Sequence, residues 1–210
     1  MMKRLLFIIG RFQTGLWKRL SDWFWKHYLI AYCSNKKEVH LSDPKTTFFN
    51  GKTLLAVSPN GEMWIGKNVV FNSSYHTITA NLSKIDVGGG VLLIGDGSGI
   101  SSSTIICKEH IEIGKNVNIG AGCLILDSNM HSADWRIRAN RENDCPENAT
   151  KKPIYIEDNV FIGAQSIICK GVRIGAKTMI AAGSVVVKDI PANCIAGGNP
   201  CIVLKQLSDE

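Results

Sequence analysis

From Ile156 onward, an aliphatic residue returns every six positions: Ile156, Ile162, Ile168, Ile174, Ile180 and Val186 open six successive hexads that run on to Ala192 and Gly198. Gly163, Gly175 and Ala181 follow directly behind their aliphatic residues. The fifth places are small or β-branched, being Val160, Ser166, Val172, Thr178, Ser184 and Ile190. Period six is neither the 3.6 of a helix nor the simple alternation of a strand. It predicts a chain wound into a prism, one flat face per hexad, with the aliphatic residue inward and small residues at the corners.

Upstream the same pattern is looser. Thr53–Val57, Met63–Ile65 and Val69–Phe71 read as short strands, and Ile65 and Ile94 each open a hexad-like piece. Ile94, Ile100 and Ile106 keep the spacing, one residue intervenes, and Ile113, Ile119 and Ile125 resume it. His131 occupies the next inward slot, where an aliphatic residue is due. The register then breaks until Ile156. The intervening polar stretch cannot line an apolar interior, so residues 132–155 are expected to form a loop extruded from one corner, and long loops in compact repeats are commonly functional. Glycines 88–90, 95, 97 and 99 resemble a phosphate cradle only superficially. No strand-to-helix context or Lys-Ser/Thr pair follows them, so they read as corner residues.

Residues 3–33 differ from everything after them. They hold three of the five tryptophans and many basic residues. On a helical wheel Arg4, Arg11 and Lys18 stack on one side, with Lys3, Arg19 and Lys26 near them. Leu5, Ile9, Phe12, Leu16, Leu20 and Trp23 fall on the other side. This is a basic amphipathic helix, suited either to a membrane interface or to packing on the domain or a neighbouring subunit. Its apolar run, Leu5 to Ile9, is too short for a signal-peptide core or a bilayer span. The polar stretch 35–43 marks the transition, giving a helix-and-linker segment over 1–50 and a repeat domain over 51–210.

The net charge of +6 would suit nucleic acid or an anionic membrane, but its concentration in the helix favours the membrane, and no nucleic-acid partner is expected. Seven cysteines without a CxxC pair indicate neither a zinc ribbon nor a disulfide framework. Cys107, Cys123 and Cys169 sit at coil positions and read as small apolar residues of a reduced core, which fits a cytoplasmic protein. Of the histidines, His27 lies in the helix, His40 in the linker, and His76 and His110 in ordinary coil positions. Only His131 stands at the loop mouth, and an imidazole with an ordinary pKa of about 6.5 suits general-base work there.

The repeats, the loop after a histidine, the DSNMHSADWR stretch and the ending AAGSVVVKDIPANCIAGGNPCIVLK resemble the hexapeptide-repeat O-acetyltransferases. The likeness, over about residues 53–206, is to the galactoside and maltose acetyltransferases and to those modifying bacterial surface polysaccharides. It implies an all-β fold, a left-handed parallel β-helix, assembled as a homotrimer with acetyl-CoA between neighbouring subunits. It implies transfer of the acetyl group to a sugar hydroxyl, on a free or lipid-linked saccharide, with His131 as general base. Asp127, Asn129 or a backbone carbonyl would orient the imidazole, and a corner N–H would steady the oxyanion. Ala164 and Ala182 match positions lining the pantetheine channel, and Lys188 and Lys205 match basic positions near the CoA phosphates. Ile202 departs from the family by replacing a basic residue. The run Ser101 to Ser103 lies near a place where some relatives carry a sugar-binding Asn. Serine or antibiotic acceptors, or a scaffold that has lost catalysis, stay open. A γ-class carbonic anhydrase would need closely spaced metal histidines, which are missing, so no metal is expected.

Overall fold

A computed structural model describes residues 2–73, 82–140 and 142–208; within the first helix, side chains are described from Leu16 onward, Trp17 and Lys18 excepted. His76 and the helix positions Lys3, Arg4, Leu5, Ile9, Arg11 and Phe12 therefore lie outside what is described of side chains. The chain opens with α1, Met2–Asn35. It then winds into coils of three short strands. The first coil is β1 (Val39–Leu41), β2 (Phe48–Asn50) and β3 (Thr53–Val57), and the second β4 (Glu62–Ile65), β5 (Val70–Asn72) and β6 (Ser83–Val87). The third holds β7 (Val91–Ile94), β8 (Gly99–Ser101) and β9 (Thr104–Cys107), and the fourth β10 (His110–Ile113), β11 (Asn118–Ile119) and β12 (Leu124–Leu126). After the loop come β13 (Ile154–Ile156), β14 (Phe161–Ile162) and β15 (Ile167–Ile168), then β16 (Arg173–Ile174), β17 (Met179–Ile180) and β18 (Val185–Val186). The chain closes with β19 (Cys194–Gly197) and β20 (Ile202–Gln206).

Every third strand pairs in parallel, making three faces: a first from β1 to β16, a second from β2 to β19, and a third from β3 to β18. The fold is a left-handed parallel β-helix. Identical inward positions stack from coil to coil, as in Ile113 on Ile156 on Ile174 and Ile119 on Ile162 on Ile180. All of these are at most 2% exposed. The fifth-place residues are buried as well. Where they are polar they bond to corner carbonyls: Ser166 Oγ donates to Gly163 O at 2.8 Å and Thr178 Oγ1 to Pro191 O at 2.7 Å. A hexad thus encodes one face and one corner.

Three expectations change. Ile105, not Ile106, points inward and stacks on Ile125, while Ile106 pairs with Leu126 on the outer surface. The four-residue strands β9 and β10 carry two inward positions each, Ile105 with Cys107 and Ile111 with Ile113, and the alternation of these longer strands absorbs the one-residue slip. The first coil begins at Val39, inside the segment assigned to the linker, because β1 and β2 pair with the next coil although their sequences carry no hexad. The extruded loop is not without structure of its own: it carries a short helix, α2 (Trp135–Arg138), and the chain's last strand runs antiparallel to β19.

The end of α1 closes the first coil. Leu29 and Cys33 join the core, with Trp25, Ile30 and Tyr32 packed at its margin. The Lys26 ammonium lies 4.4 Å from the Phe48 ring centre, and Lys36 Nζ donates to Val57 O at 3.2 Å. A stacked prism exposes apolar residues and strand edges at its ends, and a cap of this kind covers them. Among the described residues no helix is long and apolar enough to cross a membrane.

Candidate active site

The loop leaves from the corner between the third and first faces, where β12 runs out into Asp127. This carboxylate is fully buried and accepts hydrogen bonds from the backbone N–H groups of Lys108, Glu109 and His110, at 2.8 to 3.0 Å. Successive N–H groups wrapped around one anion hold it firmly and fix the corner beneath. Ser128 bridges Lys151, Asn129 N donates to Thr150 O at 3.1 Å, and Lys152 N donates to Asp127 O at 2.9 Å. The two stems of the loop are therefore pinned together. Met130, with φ of 63°, turns the chain sharply before His131.

His131 does not point into the prism. Its side chain is 66% exposed, and Nδ1 lies 2.8 Å from Asp144 Oδ2. Asp144 is contributed by the returning part of the loop and is itself steadied by Ser132 N, which donates to Oδ1 at 3.2 Å. The imidazole beside it, helped by the Ser132 N–H and the Arg138 charge, holds the Asp144 carboxyl below the usual carboxylate range. In the tautomer that donates Nδ1–H to this carboxylate, the lone pair sits on Nε2 of a ring that is largely exposed. Arg138 donates to Ser132 O and Ala133 O at 2.6 and 2.8 Å, and Asp134 caps α2 while pairing with Arg136 at 2.8 Å. Asp127 and Asn129 do not touch the imidazole: the first is engaged by backbone amides and the second is exposed. Asp144 had no sequence signal separating it from Asp134, Glu142 or Glu147 in the same loop.

The corner between the second and third faces is built of small residues: Gly120, Ala121 and Gly122 in the fourth coil, Gly163 and Ala164 in the fifth, then Ala181, Ala182 and Gly183 in the sixth. Ala164 and Ala182 thus lie one above the other, linked by Gly183 N donating to Ala164 O at 2.9 Å. A Cβ on Gly163 would collide with the backbone of Ala182. Lys188 does not share this corner. It is exposed on the His131 corner, two coils further along, while Lys205 is exposed on β20 opposite Ile195. Ile202 is 61% exposed near the start of the same strand. Ser102 and Ser103 are buried, and Ser103 Oγ donates to Gly120 O at 2.8 Å, so this run serves a corner.

Between the two corners lies the third face. After Leu54 in the first coil its outward residues are Lys84, Asp86 and Thr104, and these give way to Ile106, Leu124, Leu126, Ile167 and Val185, an apolar strip left partly open. Within one chain it separates His131 from Ala164 and Ala182. Two of the core cysteines are poor nucleophiles: burial pushes the Cys33 thiol up to about 12 and the Cys107 thiol higher still. Among the described residues, no three His, Cys, Asp or Glu side chains come together as a metal site.

Known proteins place this architecture. The family model "Hexapeptide repeat of succinyl-transferase" matches residues 153–188. A galactoside O-acetyltransferase of Lactococcus lactis is 39% identical over 147 residues, which is 69% of this chain and 56% of that protein. The chain thus spans little more than half the length of this curated relative. A maltose O-acetyltransferase structure from Clostridium difficile superposes with a TM-score of 0.57 at 25% identity, covering 90% of this chain and 88% of that one. A hexapeptide-repeat-containing acetyltransferase structure from Vibrio cholerae superposes with a TM-score of 0.58 at 31% identity, covering 69% of this chain and 74% of that one. With the coil, the corner glycines and this degree of identity in agreement, the chain belongs to the hexapeptide-repeat acetyltransferases.

Proposed function

We propose that this protein is an acetyl-CoA-dependent O-acetyltransferase acting on a saccharide hydroxyl, with His131 as general base. The observation that carries this reading is the His131–Asp144 pair at 2.8 Å, which fixes the imidazole with Nε2 open at the mouth of the extruded loop. Nε2 takes the proton of the acceptor hydroxyl as its oxygen attacks the thioester carbonyl. The carbon–sulfur bond then breaks, the acetyl group stays on the sugar oxygen, and the histidinium returns the proton to the departing thiolate. Asp144 supports the positive charge that His131 carries between the two steps. A backbone N–H at a coil corner steadies the oxyanion.

The column of small residues at Ala164 and Ala182 fits the slender pantetheine arm, since no side chain obstructs it. Lys188 and Lys205, both exposed, suit the CoA phosphates. His131 and the small-residue column occupy different edges of the third face. A homotrimer that buries this apolar face against its neighbours would bring the His131 edge of one subunit beside the Ala164 and Ala182 edge of the next. The acceptor reading is supported by the galactoside and maltose acetyltransferases among the similar proteins. We place the enzyme on the cytoplasmic side, in peripheral contact with the membrane through residues 3–33, in the assembly of a surface polysaccharide.

Transfer from acetyl-CoA to a galactoside or maltose tests the reading. His131→Ala should lose at least about a hundredfold in kcat while calorimetry shows unchanged CoA affinity. An active His131→Ala enzyme refutes the base. Failure of the intact protein to acetylate any saccharide refutes the acceptor class.

A further inference from the structure

Helix α1 has two apolar faces, and the prism uses only one. Leu29 and Cys33 are buried against the first coil, with Trp25 beside them. At 3.6 residues per turn, Leu16, Leu20, Trp23, Phe24 and His27 fall on the opposite side. That side is open: Leu16 is 48% exposed, Leu20 50%, Trp23 60% and Phe24 52%. Along it the rings stand in pairs, Trp23 with His27 at 4.4 Å between centres and Phe24 with Tyr28 at 5.9 Å. The stripe is the one whose sequence pattern starts at Leu5, so its register persists over most of the helix. The face the sequence marks as apolar is therefore turned away from the domain it would otherwise serve.

We infer that this stripe is the seat of an anionic bilayer, and that it sets the height at which His131 meets a membrane-anchored saccharide; the second half rests on the proposed acetyl transfer. Charge decides the occupant. The helix carries six basic residues, Lys3, Arg4, Arg11, Lys18, Arg19 and Lys26, against one acid, Asp22. Two such helices repel each other, whereas anionic headgroups attract both. Aromatic side chains such as Trp23 and Tyr28 settle at headgroup depth, where their polar tips stay wet. In a trimer of parallel prisms the three copies of α1 lie at the same end, and engagement of one raises the effective concentration of the others at the surface.

The fold then acts as a spacer. Helix α1 packs on the first coil and the loop leaves from the fourth. Three coil steps of about 4.8 Å put His131 roughly 15 Å beyond the first coil along the prism axis, and the helix itself lies between that coil and the bilayer. A hydroxyl next to the lipid phosphate falls short of that height. One on a sugar several units out reaches it.

The test uses full-length protein with phosphatidylcholine vesicles, with and without phosphatidylglycerol, at low and high salt. The intact protein should co-sediment with the anionic vesicles at low salt and release at high salt. The double variant Leu20→Asp, Trp23→Asp should bind roughly tenfold less or weaker still, as expected for loss of buried apolar area, while sedimenting as the same oligomer. Both proteins should acetylate free maltose equally. On vesicles, maltose tethered to lipid by a spacer longer than about 15 Å should be a substrate for the intact protein, and maltose tethered without a spacer should not. Intact protein that ignores anionic vesicles overturns the docking face. A double variant that falls apart into monomers assigns the stripe to a subunit contact instead, and equal turnover of the two tethered sugars overturns the height. Vesicle binding without transfer to free or tethered maltose leaves the docking face standing and counts against the proposed activity.

Discussion

At the scale of single residues, two aspartates near the loop mouth have separate tasks. Asp127 closes a buried ring of N–H donors from Lys108, Glu109 and His110. Asp127→Ala would strand those donors, so we expect a loss of about 2–4 kcal/mol, measured by denaturant unfolding. Asp144 touches the imidazole and little else that is buried. Asp144→Asn should lower kcat by about tenfold or more, through loss of the correct tautomer and of support for the histidinium, with stability within about 0.5 kcal/mol of the parent. Asp144→Glu should recover part of the activity. If Asp127→Ala lost activity without losing stability, the division of labour would be wrong. Acid gives a second check. His131 is the main cause of the depressed Asp144 pKa, with the Ser132 N–H and Arg138 adding to it. Because the folded value lies below the unfolded one, the contribution to stability is present above the ordinary carboxyl value of 3.8 and is lost as pH falls through the depressed value. Protection of the Ser132 amide against hydrogen exchange should therefore persist below the ordinary carboxyl value of 3.8 and be lost only as pH falls through the depressed one.

At the scale of an element, the unit is one hexad: a two-residue strand and a corner. The corners differ. Between the first and second faces they are charged and solvated, as at Lys67, Asp96, Lys115, Asp158 and Lys177. Between the second and third they are small because successive backbones touch. Gly163→Val would drive a branched side chain into the backbone of Ala182, at a cost of about 1–3 kcal/mol or more, and would also obstruct the proposed pantetheine track. Gly99→Ala offers the contrast. Its Cβ would meet only the end of the Asn118 side chain at 3.2 Å, which can swing aside. Thermal melts of the two variants should therefore differ clearly, and equal melting points would contradict the stacking argument.

At the scale of the whole molecule, the apolar third face is the feature an isolated chain leaves unexplained. Stacked coils bury their aliphatic residues against the coils above and below, so each chain holds its own core. The outward residues Leu124, Ile167 and Val185 add nothing to that core. We expect sedimentation to give three copies, and Leu124→Glu to give a monomer with an unchanged circular dichroism spectrum. That monomer should bind CoA weakly and transfer no acetyl group. A wild-type monomer, or an active Leu124→Glu monomer, would rule out a shared site.

The hexad Ile156-Glu-Asp-Asn-Val-Phe and its successors were enough to settle the fold, because each face is a local object six residues long and every coil repeats the same steric demand. Residues that depend on one coil meeting the next along this regular path, from Gly163 to Ser184, could be placed from the sequence. Ile105 could not, because longer strands shifted the inward alternation by one residue. Asp144 could not either: its meeting with His131 depends on the closure of an irregular chain pinned by Ser128 and Lys151, which no period describes. The helix shows the same division. Its amphipathic pattern announced a helix and an apolar side, but the side gripped by the prism was decided by how the chain passes from Asn35 into Val39, which turns Leu29 and Cys33 to the core and leaves Trp23 and Phe24 outside.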